Sequence, residues 1–154
     1  MSKEKLIQVA LKEVGTTENP KGSNKSKYGQ WFGWDGVAWC AMFVSWCHDK
    51  AGIVMPKIGF TKPGFAGCQS GYAYWKKANK IVSDPEPGDI VLFDWNGDGR
   101  YDHTGIFYRN LGRTPVGEGF FEAIEGNTAV GNDSNGGQVM VRKRSYKQAI
   151  FVRL

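Results

Sequence analysis

Histidine is scarce in this chain. His48 and His103 are the only two in 154 residues, so imidazole chemistry near neutral pH has two candidates. Cysteine is nearly as rare. Cys40, Cys47 and Cys68 form an odd, irregularly spaced set with no Cys-x-x-Cys pair, which excludes a disulfide framework and a thiolate metal knuckle. No apolar run is long enough to span a bilayer. The opening Met1-Ser2-Lys3-Glu4-Lys5 leads into an amphipathic segment and not into the apolar core of a signal peptide. Internal repeats, linkers and low-complexity tracts are missing, so residues 1–154 are expected to form a single domain around one core. The net charge of +5 and pI of about 9.1 favour an anionic partner. No nucleic-acid motif accompanies the scattered basic residues, and Arg142-Lys143-Arg144 is their one cluster. An anionic cell wall therefore ranks above DNA.

What the sequence does have is apolar and aromatic material. Hydrophobic residues make up 41% and charged residues 23%, the balance of a folded globule and not of a disordered chain. The 21 glycines imply many tight turns, and 6 Trp, 6 Tyr and 9 Phe imply an aromatic core or an aromatic groove. Residues 2–14 carry Leu6, Ile7, Val9, Ala10, Leu11 and Val14 at helical spacing, and Gly15 ends the pattern. Residues 28–34 are aromatic and broken by glycine, which suits either a substrate-facing wall or a loop packed over the core. A buried helix is predicted from Cys40 to about Lys50, a loop over residues 56–71 and a short helix over residues 72–80. Five strands are predicted after it, over residues 90–93, 103–108, 120–125, 139–142 and 149–153. Helices first and strands afterwards imply an α+β fold, with the cysteine helix against an antiparallel sheet.

Cys40 falls in the first turn of its helix. Unpaired backbone N–H groups and the positive end of the helix dipole favour a thiolate there. The competing reading is a small core residue, and Cys47 and Cys68 are read as ordinary buried thiols. His48 lies near the end of the same helix, where a solvated or dipole-stabilising role suits it. His103 begins a strand after a turn. An imidazole there can take a thiol proton and return it to a leaving amine, and Glu125 or Asn127 on the following strand can orient the ring. Trp31, Trp34, Trp39 and Tyr28 are candidate groove residues because they lie close to Cys40 in the chain. The loop from Asp94 to Asp102 matches the first half of a calcium loop, with Asp94, Asn96, Asp98 and Asp102 as candidate ligands. Its twelfth position is Gly105 where a glutamate would be needed, and a hairpin turn rich in Asn, Asp and Gly is the alternative.

Four blocks occur in a telling order: Trp39-Cys40-Ala41-Met42-Phe43-Val44-Ser45-Trp46, Pro87-Gly88-Asp89-Ile90-Val91, Asp102-His103-Thr104-Gly105-Ile106 and Ile124-Glu125-Gly126-Asn127-Thr128. Together they resemble the CHAP domain, the cysteine, histidine-dependent amidohydrolase/peptidase module, in the form found in phage and prophage endolysins. The resemblance implies a papain-like α+β fold and hydrolysis of amide bonds in bacterial peptidoglycan. It implies Cys40 as nucleophile, His103 as general base and acid, and Glu125 with Asn127 as orienting residues. The bond cut would be that of an N-acetylmuramoyl-L-alanine amidase or of a peptide endopeptidase. No cofactor is required for such chemistry. Some CHAP domains bind calcium through acidic residues just before the cysteine, where this chain has only Asp35. A monomer is expected, either the whole lysin or one part of a longer one, with no nucleic acid and no membrane insertion. Synthesis in the host cytoplasm without a signal peptide, and release to the wall through a membrane hole made by another protein, follow from the same resemblance. The alternatives are a non-catalytic wall-binding or assembly module and another papain-like enzyme, an NlpC-type peptidase or a thiol acyltransferase. A nucleic-acid binder rests on charge alone.

Overall fold

The computed structural model describes residues 2–154, so Met1 of the opening segment lies outside the described residues. Four helices lead into a sheet. The first helix, α1 (Lys3–Lys12), is capped by Ser2, whose Oγ accepts from the Lys5 N–H at 3.1 Å, and it buries Leu6 and Ala10. Residues 28–34, left open between a wall and a loop, form helix α2 (Lys27–Phe32). Ser26 caps its start, accepting from the Gly29 N–H at 3.0 Å, and Gly33 ends it at φ 93°, a left-handed turn that glycine takes without strain. The cysteine helix, α3 (Cys40–Lys50), is buried on nearly every side, which is why its apolar residues run together instead of forming a stripe. Each large side chain it withdraws from water, such as Phe43 or Met42, contributes about 1.5–3 kcal/mol.

The fourth helix, α4 (Cys68–Lys77), starts four residues before the predicted position. Gly67 opens it and Cys68, not Tyr72, is its first residue. The polar run Gln69-Ser70-Gly71 carries no apolar periodicity, so the first turn left no mark in the sequence.

The sheet is fully antiparallel and has six strands: β1 (Ile81–Val82), β2 (Ile90–Phe93), β3 (His103–Arg113), β4 (Gly119–Thr128), β5 (Gln138–Ser145) and β6 (Ala149–Val152). Their order is 1-6-2-3-4-5. The α+β expectation holds, with one strand more than the five predicted. The two residues of β1 are too short for any pattern, and β6 returns to lie between β1 and β2 where a simple meander would have placed it at an edge.

Side chains alternate across the sheet and feed two cores. On one face α3 packs over β3 and β4, with Ile90, Leu92, Ile106, Ile124 and Val139 beneath it. On the other, Val91, Phe93, Phe107, Phe121 and Phe151 form a smaller aromatic cluster closed by Tyr146 from the turn before β6. Strand β2 is buried on both faces, hence its unbroken Ile-Val-Leu-Phe. The far half of the β3–β4 hairpin leaves the core. Its tip is closed by the Thr114 N–H donating to the Glu118 carbonyl at 2.7 Å, with Val116 exposed.

Candidate active site

Three elements meet where α3 begins. Cys40 is the first residue of α3, His103 the first of β3, and Glu125 lies in the inner half of β4. The N-cap position of α3 is Trp39, whose side chain makes no capping bond to the N–H groups of that turn. Register puts His103 beside Phe93 of β2, and the imidazole stacks on the rings of Phe93 and Trp95, each with centroids 5.8 Å away. Glu125 Oε1 lies 2.9 Å from His103 Nε2, with both side chains fully buried. Gly105 makes room for that bond, because a Cβ there would stand 2.7 Å from Glu125 Cγ.

The carboxylate is itself gripped. Arg144 donates to Glu125 from Nε at 2.8 Å and from Nη2 at 2.6 Å, and its Nη1 reaches Asp133 at 2.8 Å. The guanidinium lies over the Trp95 ring, 4.7 Å from its centroid. Burial would raise the pKa of Glu125, but hydrogen bonds from Arg144 and His103 outweigh it and hold the carboxyl below its ordinary value.

With Nε2 held, His103 Nδ1 remains buried without a hydrogen-bond partner. The Cys40 thiol lies close enough for the two groups to shift one another. Burial would lower the pKa of His103; Cys40 and then Glu125 reverse this and raise it to about 9. Cys40 is held well below the ordinary thiol value, first by the adjacent Cys68 thiol, then, against burial, by His103 and the Ala41 N–H. The Cys68 sulfur lies 3.8 Å from that of Cys40, and its own pKa is pushed well up by this neighbour and by burial. Both shifts run in the direction that favours a thiolate beside an imidazolium.

Several predicted residues lie elsewhere. Asn127 does not reach the imidazole. At φ 59° it leaves strand geometry, and its side chain braces the next loop, donating to Asn135 Oδ1 at 3.1 Å and accepting from the Gly137 N–H at 3.0 Å. Tyr28 and Trp39 are corrections too. Both are fully buried and stacked on each other at 5.3 Å, with Trp39 Nε1 donating to Glu18, so neither offers a face to a groove. Trp34 is half exposed and leans on Phe60 at 5.5 Å, while Lys62 Nζ sits 4.3 Å above the half-buried ring of Trp31.

His48 is buried, not solvated. Its Nδ1 lies 2.8 Å from the Val44 carbonyl, and burial lowers its pKa to about 4, so it is neutral at pH 7 and has no charge to offer the helix dipole. Cys47 is the plain buried thiol expected, and Cys68 is not.

The carboxylates of the 94–102 loop are engaged with the loop's own backbone. Asp94 accepts from Gly97, Asp98 and Gly99, Asp98 accepts from Arg100, and Asp102 accepts from Trp95. Asn96 is exposed, and among the described residues no three His, Cys, Asp or Glu side chains converge on a metal-sized centre. The contacts are those of a capped hairpin turn. Asp35 likewise accepts from the Ser26 N–H at 3.0 Å.

Arg144 and Cys68 had escaped the sequence reading. The basic trio carried a usable signal: strand alternation puts Arg142 and Arg144 on one face and Lys143 on the other. Arg142 and Arg144 indeed both bond Asp133, whereas Lys143 lies over Phe120. For Cys68 no signal existed, because only the fold brings the start of α4 to the start of α3.

Comparison with known families gives a match to the CHAP domain over residues 31–127, a span that includes Cys40, Cys68, His103 and Glu125. Among curated proteins none matches the chain.

Proposed function

This chain belongs to the CHAP domain family, and on that premise we propose that it is a peptidoglycan hydrolase whose nucleophile is Cys40. The observation that carries the reading is the chain of hydrogen bonds from Arg144 through Glu125 to His103, whose Nδ1 is left unpartnered, beside a thiol at an uncapped helix start. The Cys40 thiolate attacks the carbonyl carbon of a wall amide. Backbone N–H groups of the first turn of α3, that of Cys40 included, receive the developing oxyanion. His103 gives its Nδ1 proton to the leaving amine, and a thioester remains on Cys40. The neutral imidazole then takes a proton from water, hydroxide attacks the thioester, and the thiolate departs beside a re-formed imidazolium.

Glu125 fixes the ring through Nε2, and Arg144 fixes Glu125. Trp34, Trp31 and Phe60 offer exposed aromatic surface for the wall polymer. The finer role is that of an endolysin acting on the wall. No helix among the described residues is long and apolar enough to cross a membrane.

The test is digestion of purified peptidoglycan with mass spectrometry of the new amine ends. The native chain should release amines, and Cys40→Ala and His103→Ala should lower the rate by about 1,000-fold or more. Native-rate clearing by Cys40→Ala overturns the nucleophile. Wall binding without any new amine ends, by a folded native chain, selects a binding module.

A further inference from the structure

The site holds two thiols, and hydrolysis uses one. Cys68 opens α4 as Cys40 opens α3, and neither helix start has a side-chain cap. Both sulfurs thus sit at the positive ends of helices, 3.8 Å apart, and all three cysteines are free thiols. Cys47 is out of play: it lies two turns further along α3, about 10 Å by helical rise, and is fully buried. Cys40 and Cys68 retain 6% and 8% residue exposure, whereas Cys47 has none.

We propose that Cys40 and Cys68 form a redox modification site, closed to a disulfide by hydroperoxides and reopened by dithiols. A thiolate so placed is the group that peroxides oxidise. The Cys40 sulfur attacks one peroxide oxygen and the O–O bond breaks, giving Cys40 sulfenic acid and an alkoxide or hydroxide. The Cys68 sulfur, losing its proton, then attacks the Cys40 sulfur, an S–S bond forms, and hydroxide leaves to take that proton as water. The two thiols have lost two electrons and the peroxide has gained them. The sulfurs must approach by about 1.8 Å to reach the S–S length of about 2.05 Å. A shift of that size is within what rotation of two cysteine side chains supplies. While closed, the bond removes the nucleophile and spares it irreversible oxidation. That consequence for hydrolysis rests on the proposed function; the disulfide does not.

The experiment treats the folded chain with hydrogen peroxide, blocks remaining thiols with iodoacetamide, and digests with chymotrypsin without reduction. Cleavage after Phe43 separates Cys40 from Cys47. The expected product joins the Cys40 and Cys68 peptides with the loss of two hydrogens, leaves Cys47 alkylated, and is split by dithiothreitol. Cys40 recovered as sulfinic or sulfonic acid with Cys68 alkylated overturns the proposal, as does a bridge to Cys47. In a second arm, wall clearing after peroxide should return with dithiothreitol in the native chain but not in Cys68→Ser, nor in Cys68→Ala should the serine variant fail to fold. Equal recovery with and without Cys68 overturns the protective role. If the untreated native chain clears no walls, hydrolysis fails as a reading, and the mass measurement still decides the disulfide.

Discussion

The thiol pKa is depressed at Cys40 and the imidazole value is raised to about 9 at His103, both toward the charged pair. The sign of the pH dependence follows. The thiolate is lost as pH falls through the low Cys40 value, and the imidazolium is lost as pH rises through about 9. Hydrolysis should therefore fall above about pH 9, as a pH–rate profile would show. Glu125→Gln keeps an acceptor for Nε2 but removes a negative charge that raises His103, so the alkaline limb should move to lower pH. An unmoved limb would mean that the carboxylate does not tune the ring. Arg144→Met leaves a fully buried carboxylate with His103 as its one remaining partner and should cost about 3 kcal/mol in denaturant unfolding. The positions of Cys40, His103 and Glu125 are legible because local pattern marks each: a helix start, a strand start, a strand end. Asn127 was not separable from Glu125, since residues two apart share a strand face. Its left-handed turn removes it from that face, and such a backbone excursion leaves no mark in composition.

At the scale of elements, the site depends on how closely strands and helices approach. The side chain of Glu125 must cross β3, and Gly105 is the gap it crosses. Gly105→Ala puts a methyl group 2.7 Å from Glu125 Cγ in a fully buried place. It should cost about 1–3 kcal/mol of stability and slow hydrolysis as well, measured by thermal unfolding and by amine release. A stable variant hydrolysing at the native rate would show that Glu125 has slack. Helix α3 and strands β2 to β6 could be read from apolar runs. Helix α2 could not, because Gly29 and Gly33 mimic a loop; one is there to let the chain pack against Asp35 and the other to end the helix. The aromatic segment misled for a related reason. Tyr28 and Trp39 sit near Cys40 in the chain, but both face the core, where Tyr28 meets Phe43 edge-on at 5.1 Å.

Across the whole molecule, the first helix and the last strand are tied at one point. Asp89 is buried and accepts from Lys3, from Arg153 Nη2 at 2.7 Å and from the Glu86 N–H at 2.7 Å. The Pro-Gly-Asp block was visible in sequence, whereas the partners of its aspartate, 86 and 64 positions away, were not. Both cations also reach solvent, so Asp89→Ala should cost about 1–3 kcal/mol and not the full penalty of a buried pair, read as a lower melting temperature. Net charge, too, looks different in three dimensions: two of the three clustered cations face acidic side chains within the fold and are not offered to a partner. At the opposite extreme from this knot stands the outer half of the β3–β4 hairpin. Its turn closes on its own backbone bonds, and its side chains contribute nothing to Cys40, His103 or Glu125. That tip is a natural graft point: a foreign recognition peptide spliced in at Val116 would ride on the domain like a flag on a mast, adding a new binding surface and leaving Cys40, His103 and Glu125 alone.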